Sequence, residues 1–289
     1  MKVIVIGSGP AGVSTALYAR RDGAAVTVIT KGAGFLATAE RIENYYGFPE
    51  PISGPELERR GIAGAKRLGV TFEKDEALAI QPAGDGAGFF IEGVRRNYTG
   101  DAVVLAAGAA RRTLAVSGVK EFEGRGVSYC AICDAFFYRG KNVAVIGAEA
   151  YALHEAQVLL PHAAQIVLLT NGAACAEKIP DGISVVIKRI ARIEGERRVQ
   201  RVVFEDGSRA YVDGVFMAIG MAGSLELARK MGVLLRDGNV VVGAHMETNV
   251  PGIYAAGDCT GGLLQVAKAV YEGAEAGLAV VRYLRKTMR

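Results

Sequence analysis

Long apolar runs, long basic runs and a large set of cysteines are all missing from this 289-residue sequence. No stretch approaches the roughly 20 apolar residues that cross a bilayer, so we expect no membrane span. No run of Lys or Arg exceeds two residues and the net charge is only +4, which gives nucleic-acid binding little support. With four Cys and three His, we expect a cytoplasmic protein without a secreted disulfide framework or a bound metal.

Glycine, in contrast, is abundant, with 38 residues against an ordinary share of about half that number. The excess falls in turns rather than in a repeat, which indicates places where the backbone approaches a ligand. The chain is also about twice as long as a typical domain, so we expect two domains.

One pattern occurs twice along the chain: an apolar run, a glycine turn, a helical stretch and a second apolar run. It occupies residues 2–29 and again residues 142–169. Strands of a parallel sheet that are buried on both faces have such continuous apolar sequences. The duplication predicts an α/β protein with two Rossmann-like nucleotide-binding domains of the doubly wound type.

The first glycine motif has the spacing G-x-G-x-x-G between a predicted strand and a predicted helix. Gly7 permits the tight turn, Gly9 lets the backbone approach a pyrophosphate, and Gly12 allows close packing of the helix. A purely structural turn is the alternative, but the flanking strand and helix favour dinucleotide binding. Thr30 and Lys31 replace the acidic residue expected at the end of the second strand, which argues against NAD and is compatible with FAD.

Cys130 and Cys133 are separated by two residues, and three interpretations apply. A zinc site needs four ligands, and the remaining Cys and His form no second pair at ligand spacing. A structural pair of buried thiols does not account for the spacing. A redox dithiol does, since the small ring closes readily and a stabilised thiolate makes one sulfur nucleophilic. Cys175 and Cys259 are predicted to be buried residues without a redox role.

Residues 130–138, Cys-Ala-Ile-Cys-Asp-Ala-Phe-Phe-Tyr, resemble the redox motif of the low-molecular-weight thioredoxin reductases, which are FAD-dependent pyridine nucleotide-disulfide oxidoreductases. The resemblance covers nearly the whole chain, including the glycine motif, residues 42–44, residues 106–109 and residues 248–258. It implies an FAD site made by Gly7, Ser8, Gly9, Pro10, Ala11, Gly12, Thr30, Gly34, Phe35, Leu36, Asn44, Ala107, Gly108, Gly257, Asp258, Gln265 and Val266.

The resemblance also implies roles for the redox motif. In such enzymes the first cysteine, here Cys130, attacks the disulfide of the protein substrate, and the second, Cys133, exchanges electrons with the flavin. Asp134 would then act as the acid/base of the dithiol, the alternative being a helix-capping or surface carboxylate.

The implied domain organisation has a discontinuous FAD-binding domain and an inserted redox-disulfide domain. The first comprises residues 1–112 and 240–289, and the second comprises residues 113–239. The implied partners are thioredoxin or a thioredoxin-like protein and a second copy of the chain in a homodimer.

The second nucleotide unit departs from the family pattern. Where the family binds NADPH through G-x-G-x-x-A, Glu149 replaces the middle glycine and places a carboxylate where phosphates would bind. The His-Arg-Arg that would hold the 2′-phosphate is replaced by Thr170, Asn171 and Gly172, which provide no positive charge. We therefore expect a degenerate site. At the flavin, Phe35 replaces a glutamine of the family, a smaller change that FAD binding should survive.

The leading interpretation is a flavoprotein disulfide reductase that reduces thioredoxin with a donor other than NADPH. Reduced ferredoxin is the candidate donor, because ferredoxin-dependent flavin thioredoxin reductases resemble this chain in lacking the pyridine-nucleotide motifs. Three alternatives stay open: a flavin-dependent dithiol oxidase that uses O₂, an NADPH-dependent reductase with an atypical nucleotide site, and a flavin-binding redox sensor.

Overall fold

The structure, a computed structural model, describes residues 1–32, 34–84, 88–108, 114–175, 178–219 and 223–288. Ala33 and Ala109, which belong to two predicted FAD motifs, lie outside the described residues, as does the predicted boundary at 112/113.

The chain divides into two compact units. One comprises residues 1–110 with 223–289, and the other comprises residues 111–222. The second boundary therefore differs from the predicted one at 239/240. The physical reason is that the short helix Ser224–Lys230 contacts strands of the first unit. That contact is not visible in the local sequence.

The first unit is built on a five-stranded parallel sheet. In spatial order its strands are β18 (Ile253–Ala255), β7 (Ala102–Leu105), β1 (Lys2–Ile6), β2 (Ala25–Thr30) and β3 (Thr71–Lys74). Its helices are α1 (Pro10–Arg21), α2 (Gly54–Arg67), α5 (Ser224–Lys230) and α6 (Val266–Thr287). The central strands are almost wholly buried, as their apolar sequences predict.

Helices α1 and α6 pack in unusually close contact. A β-carbon on Gly273 would lie 2.2 Å from the carbonyl oxygen of Ala11, and one on Gly277 would lie 2.6 Å from that of Thr15. Only glycine permits this approach, which places the start of α6 beside the glycine turn that precedes α1.

Two small antiparallel sheets complete the first unit. One contains β4 (Ala77–Pro82), β5 (Phe89–Gly93) and β6 (Tyr98–Gly100), and the other contains β16 (Leu235–Arg236) and β17 (Asn239–Val240). None of the helices in the described ranges is long and apolar enough to cross a membrane.

The second unit repeats the same plan on a smaller scale. Its parallel sheet consists, in spatial order, of β11 (Ile183–Val186), β10 (Gln165–Leu169), β9 (Asn142–Ile146), β15 (Gly214–Met217) and β8 (Val127–Ser128). A three-stranded antiparallel sheet contains β12 (Ile190–Gly195), β13 (Val199–Phe204) and β14 (Arg209–Tyr211), and the helices are α3 (Ala131–Asp134) and α4 (Ala150–Leu159). The predicted α/β class with two Rossmann-like units is confirmed.

Candidate functional site

The turn between β1 and α1 forms the first part of the candidate FAD site. Gly7 has a φ of +111°, and a β-carbon there would lie 2.4 Å from the carbonyl oxygen of Ala106. A β-carbon on Gly12 would lie 1.9 Å from the carbonyl oxygen of Gly7, so both positions require glycine for the fold itself. Gly9 differs, because an added β-carbon would meet no heavy atom within 4 Å. The space in front of Gly9 is therefore open to a ligand.

Helix α1 begins next to that open space. Gly9 is the N-cap residue, no side chain caps the helix, and Pro10 occupies its first position. No acidic residue lies in the first turn. Uncapped N–H groups and the positive end of the helix dipole bind phosphate groups well. The residues present at this turn thus fit the pyrophosphate of FAD.

Ser8 links the glycine turn to two neighbouring elements. Its Oγ atom lies 2.8 Å from Oγ1 of Thr30, at the end of β2, and donates to Oε1 of Glu58 on α2 at 3.3 Å. Burial raises the pKa of the Glu58 carboxyl, against the opposing effect of the Ser8 hydrogen bond. Glu58 was not foreseen from the sequence, because its proximity to Ser8 depends on how α2 packs on α1.

A cavity of about 180 Å³ adjoins this turn, and five predicted FAD residues line it in part: Ser8, Gly9, Pro10, Leu36 and Val266. Its wall is mostly apolar, with side chains from α1, α2 and α6. A predominantly apolar pocket with a few polar groups at one end is typical of a cofactor site.

Two more predicted residues meet across the unit. Nδ2 of Asn44 donates to Oε1 of Gln265 at 3.0 Å, although 221 residues separate them. Phe35, by contrast, is 83% exposed, so its ring does not belong to the core of this unit.

Ala107 and Gly108 directly follow strand β7. The N–H of Ala107 donates to Oγ of Ser224, and Gly108 has a φ of +74°.

The predicted second FAD motif is held by a buried ion pair. The N–H of Gly257 donates to Oε2 of Glu272 at 2.8 Å, and Nζ of Lys268 donates to the carbonyl oxygens of Gly257 and Gly261. The Lys268 and Glu272 side chains lie 3.1 Å apart, one helical turn from each other on α6. Together they fix the backbone on both sides of Asp258. Sequence reasoning missed them, although their i,i+4 spacing directly after the motif was a usable signal.

The second unit contains the candidate redox centre. Cys130 and Cys133 form a disulfide, with their Cα atoms 5.4 Å apart. Cys130 is the N-cap residue of α3, and its Sγ atom accepts a contact of 3.3 Å from the N–H of Cys133. Within the described parts of the chain, no group of three or more His, Cys, Asp or Glu is arranged to hold a metal. The two cysteines are thus paired, as their spacing and the resemblance to the redox motif predicted.

The two sulfurs differ in exposure. Cys130 is 2% exposed and Cys133 is an exposed residue. The cysteine predicted to attack a protein substrate is thus the buried one in the oxidised protein. Its attacking role stays a prediction, and it requires Cys130 to become accessible once the disulfide is reduced.

Asp134 is connected to Cys130 through a serine hydroxyl. Oγ of Ser128 donates to Oδ2 of Asp134 at 2.6 Å and accepts from the N–H of Cys130 at 3.1 Å. Asp134 makes no capping hydrogen bond to the short 3-10 helix that follows it. The carboxylate is partly buried, and its acid/base role stays a prediction.

Large apolar side chains surround the redox motif at the surface. Ile132, Phe136 and Phe137 are between 54% and 67% exposed. Three such side chains within six residues of sequence form an exposed apolar patch next to the disulfide, and such patches mark protein interaction sites.

The glycine turn of the second unit has a tight turn like that of the first, but a glutamate replaces the glycine at the N-cap position. Gly147 has a φ of +156°, and a β-carbon there would lie 2.1 Å from the carbonyl oxygen of Ala218. Glu149 is the N-cap residue of α4, the position that Gly9 holds for α1, and its side chain makes no capping hydrogen bond. A carboxylate thus stands at the start of α4, where the first unit has open space.

The loop after β10 is held by hydrogen bonds. Asn171 has a φ of +52°, and its Oδ1 atom accepts from the N–H of Ile190 at 2.8 Å. Residues 170–172 themselves carry no positive charge, but Arg189 brings one close: Cγ of this exposed residue would lie 3.2 Å from a β-carbon on Gly172. This neighbour was missed because it comes from the segment before β12.

Known proteins resemble this chain along almost its whole length. The family model for pyridine nucleotide-disulphide oxidoreductases matches residues 1–273. A thioredoxin reductase from Aquifex aeolicus is 33% identical across 98% of this chain and 93% of its own length. The atypical thioredoxin reductase TRi from Desulfovibrio vulgaris Hildenborough has a TM-score of 0.93 and 38% identity over 99% of this chain and 98% of that one. A ferredoxin-flavin thioredoxin reductase from Clostridium acetobutylicum has a TM-score of 0.73 and 31% identity over 99% and 98% of the two chains.

These similarities confirm the resemblance drawn from the redox motif, and they confirm FAD as the cofactor. The chain is a thioredoxin reductase-like flavoprotein disulfide reductase: the glycine turn leaves room for the cofactor, and Cys130 and Cys133 form the disulfide. With a match along almost its whole length, the chain belongs to the pyridine nucleotide-disulphide oxidoreductase family.

Proposed function

We propose that the chain passes electrons from FAD through the Cys130–Cys133 pair to thioredoxin or a thioredoxin-like protein. The observation that carries the proposal is the disulfide at the start of α3, in a chain whose other unit has an open pyrophosphate turn. FAD, when bound, accepts electrons singly or in pairs and delivers them in pairs. The chain's own groups bind the cofactor, hold the two sulfurs and supply a carboxyl group, Asp134, for proton exchange.

The nature of the acceptor follows from the surface around the disulfide. The exposed Ile132, Phe136 and Phe137 favour a protein substrate over a small, strongly polar disulfide. Thioredoxin is the acceptor that the names of the relatives imply. A homodimer and a cytoplasmic location stay predictions.

We propose further that NADPH is not the ordinary electron donor. Glu149 stands at the N-terminus of α4, and two like charges about 4 Å apart repel by about 4 kcal/mol at an intermediate dielectric. Asn171 is bound to the backbone of Ile190 and offers no charge to a 2′-phosphate, so the exposed Arg189 beside Gly172 is one cation where the family has two arginines. Reduced ferredoxin is the proposed donor, supported by the similarity to the clostridial ferredoxin-flavin enzyme.

The test of the dithiol role uses three serine variants. Cys130→Ser should abolish turnover with thioredoxin and leave the flavin reducible by dithionite. Cys133→Ser should prevent electron exchange between the flavin and the remaining sulfur. Cys175→Ser, the matched control at a half-buried free cysteine, should retain full activity. Full thioredoxin-reducing activity in both motif variants would contradict the proposal, and consumption of O₂ with a small dithiol would support an oxidase instead.

A further inference from the structure

Helix α4 contributes a buried carboxyl group to the surroundings of the disulfide. Glu155 is 1% exposed, and its Oε2 atom accepts a 2.7 Å hydrogen bond from the backbone N–H of Ala131. Ala131 is the first residue of α3 and directly follows Cys130. The contact joins segments 24 residues apart, so it belongs to the tertiary structure rather than to the redox motif itself.

The position of this carboxyl group matters for the chemistry of the sulfurs. N–H groups at a helix N-terminus stabilise a thiolate on a cysteine at that end, which makes the cysteine acidic and reactive. In this chain one of those groups, the N–H of Ala131, is already bound to Glu155. A carboxylate at this position would also disfavour a second negative charge on Cys130.

Two other titratable groups face the same region. Nδ1 of His154 lies 3.4 Å from Oε1 of Glu155. Asp134 is connected to the backbone N–H of Cys130 through the hydroxyl of Ser128. Carboxyl groups therefore flank the start of α3 on two elements, α4 and α3 itself.

We propose that Glu155 is a positioning residue that fixes the start of α3 and makes the Cys130–Cys133 couple a stronger reductant. The sign follows from charge: the disulfide is neutral, whereas the dithiol carries negative charge to the extent that one sulfur ionises. A neighbouring carboxylate destabilises only the ionised dithiol, so electrons leave the pair more readily. This inference rests on the proposed redox function of the pair.

The test measures the dithiol without the electron donor or thioredoxin. The protein is equilibrated in glutathione buffers, in which the protein disulfide and two molecules of glutathione give the protein dithiol and one molecule of glutathione disulfide. The fractions of dithiol and disulfide are then measured by alkylation and mass spectrometry. Glu155→Gln keeps an acceptor oxygen for Ala131 and removes the charge. We expect its equilibrium constant to shift toward the dithiol by about threefold to tenfold at pH 8, with faster alkylation of Cys130.

Two further variants make the outcome decisive. Glu205→Gln removes an exposed carboxylate beside β13 in the same unit and should leave the equilibrium unchanged. Glu155→Ala also removes the acceptor and should lower the melting temperature. A Glu155→Gln protein with the wild-type equilibrium and alkylation rate would overturn the inference and leave the proposed function standing. A wild-type disulfide that stays oxidised when the bound flavin is fully reduced would overturn both.

Discussion

Gly9→Ala and Gly12→Ala change neighbouring glycines of one motif and are expected to fail in different ways. A β-carbon on Gly9 meets nothing within 4 Å, and the backbone there, at φ −67°, suits alanine. The cost to the fold is therefore only the weaker N-cap preference of alanine, about 1 kcal/mol or less. Any larger effect of Gly9→Ala must come from the ligand, because the new methyl group occupies the space proposed for the pyrophosphate.

The expected loss of FAD affinity follows from the hydrogen bonds that the turn would donate to the pyrophosphate. Charge-assisted hydrogen bonds contribute about 1.5–3 kcal/mol each, so losing one weakens binding by about 10- to 150-fold. Gly12→Ala should act on the fold instead, since its β-carbon would lie 1.9 Å from the carbonyl oxygen of Gly7. Overpacking of that kind costs about 3 kcal/mol or more, equivalent to a fall of roughly 6–12 °C in melting temperature.

The assay compares the two variants as apoproteins and with FAD restored. FAD is removed with a chaotropic salt, melting temperatures of the apoproteins are recorded, and FAD is titrated back while its fluorescence is followed. Gly9→Ala should melt within a few degrees of the wild-type apoprotein and bind FAD weakly. Wild-type FAD affinity in Gly9→Ala would refute the placement of the pyrophosphate at this turn.

Three further predictions concern single residues. Burial raises the pKa of the Cys259 thiol to about 12, so its thiolate fraction stays small up to that pH. Iodoacetamide should therefore leave Cys259 of the folded protein unmodified at pH 7–10, and rapid labelling would contradict its burial. Lys268→Met removes the donor to the carbonyl oxygen of Gly257 and leaves Glu272 without its cationic partner. FAD affinity should fall by about tenfold or more, and unchanged binding would show that the ion pair does not fix the second motif. Glu149→Gly removes a carboxylate from the start of α4; NADPH binding, followed by calorimetry, should improve by at least about tenfold, and no improvement would place the defect elsewhere.

The parts of the fold that depend on local sequence were predictable. Gly7 and Gly147 precede helices and follow apolar strands, and the structure has both at the tight turns that this order implies. The Cys130–Cys133 disulfide closes a ring of neighbouring residues, so its spacing alone indicated the pair.

The remainder depends on contacts between distant segments. Glu155 comes from α4, and Arg189 comes from the segment before β12; each reaches its neighbour only through the packing of the second unit. The division between the compact units at 222/223 differs from the predicted boundary at 239/240, because α5 follows the inserted unit in sequence but contacts strands of the first. No periodicity or motif in the sequence reports such contacts.

The central claim is that electrons enter this flavoprotein by a route other than NADPH. The most direct measurement is an anaerobic titration of the purified FAD-bound protein with NADPH, NADH and chemically reduced ferredoxin in parallel, with the visible absorption of the flavin followed in time. We expect stoichiometric ferredoxin to bleach the flavin and permit reduction of thioredoxin, while NADPH and NADH leave the absorption unchanged on the timescale of turnover. Rapid bleaching by micromolar NADPH would contradict the claim and show that the nucleotide binds despite Glu149, and loss of that bleaching in Arg189→Ala would place the 2′-phosphate beside Arg189.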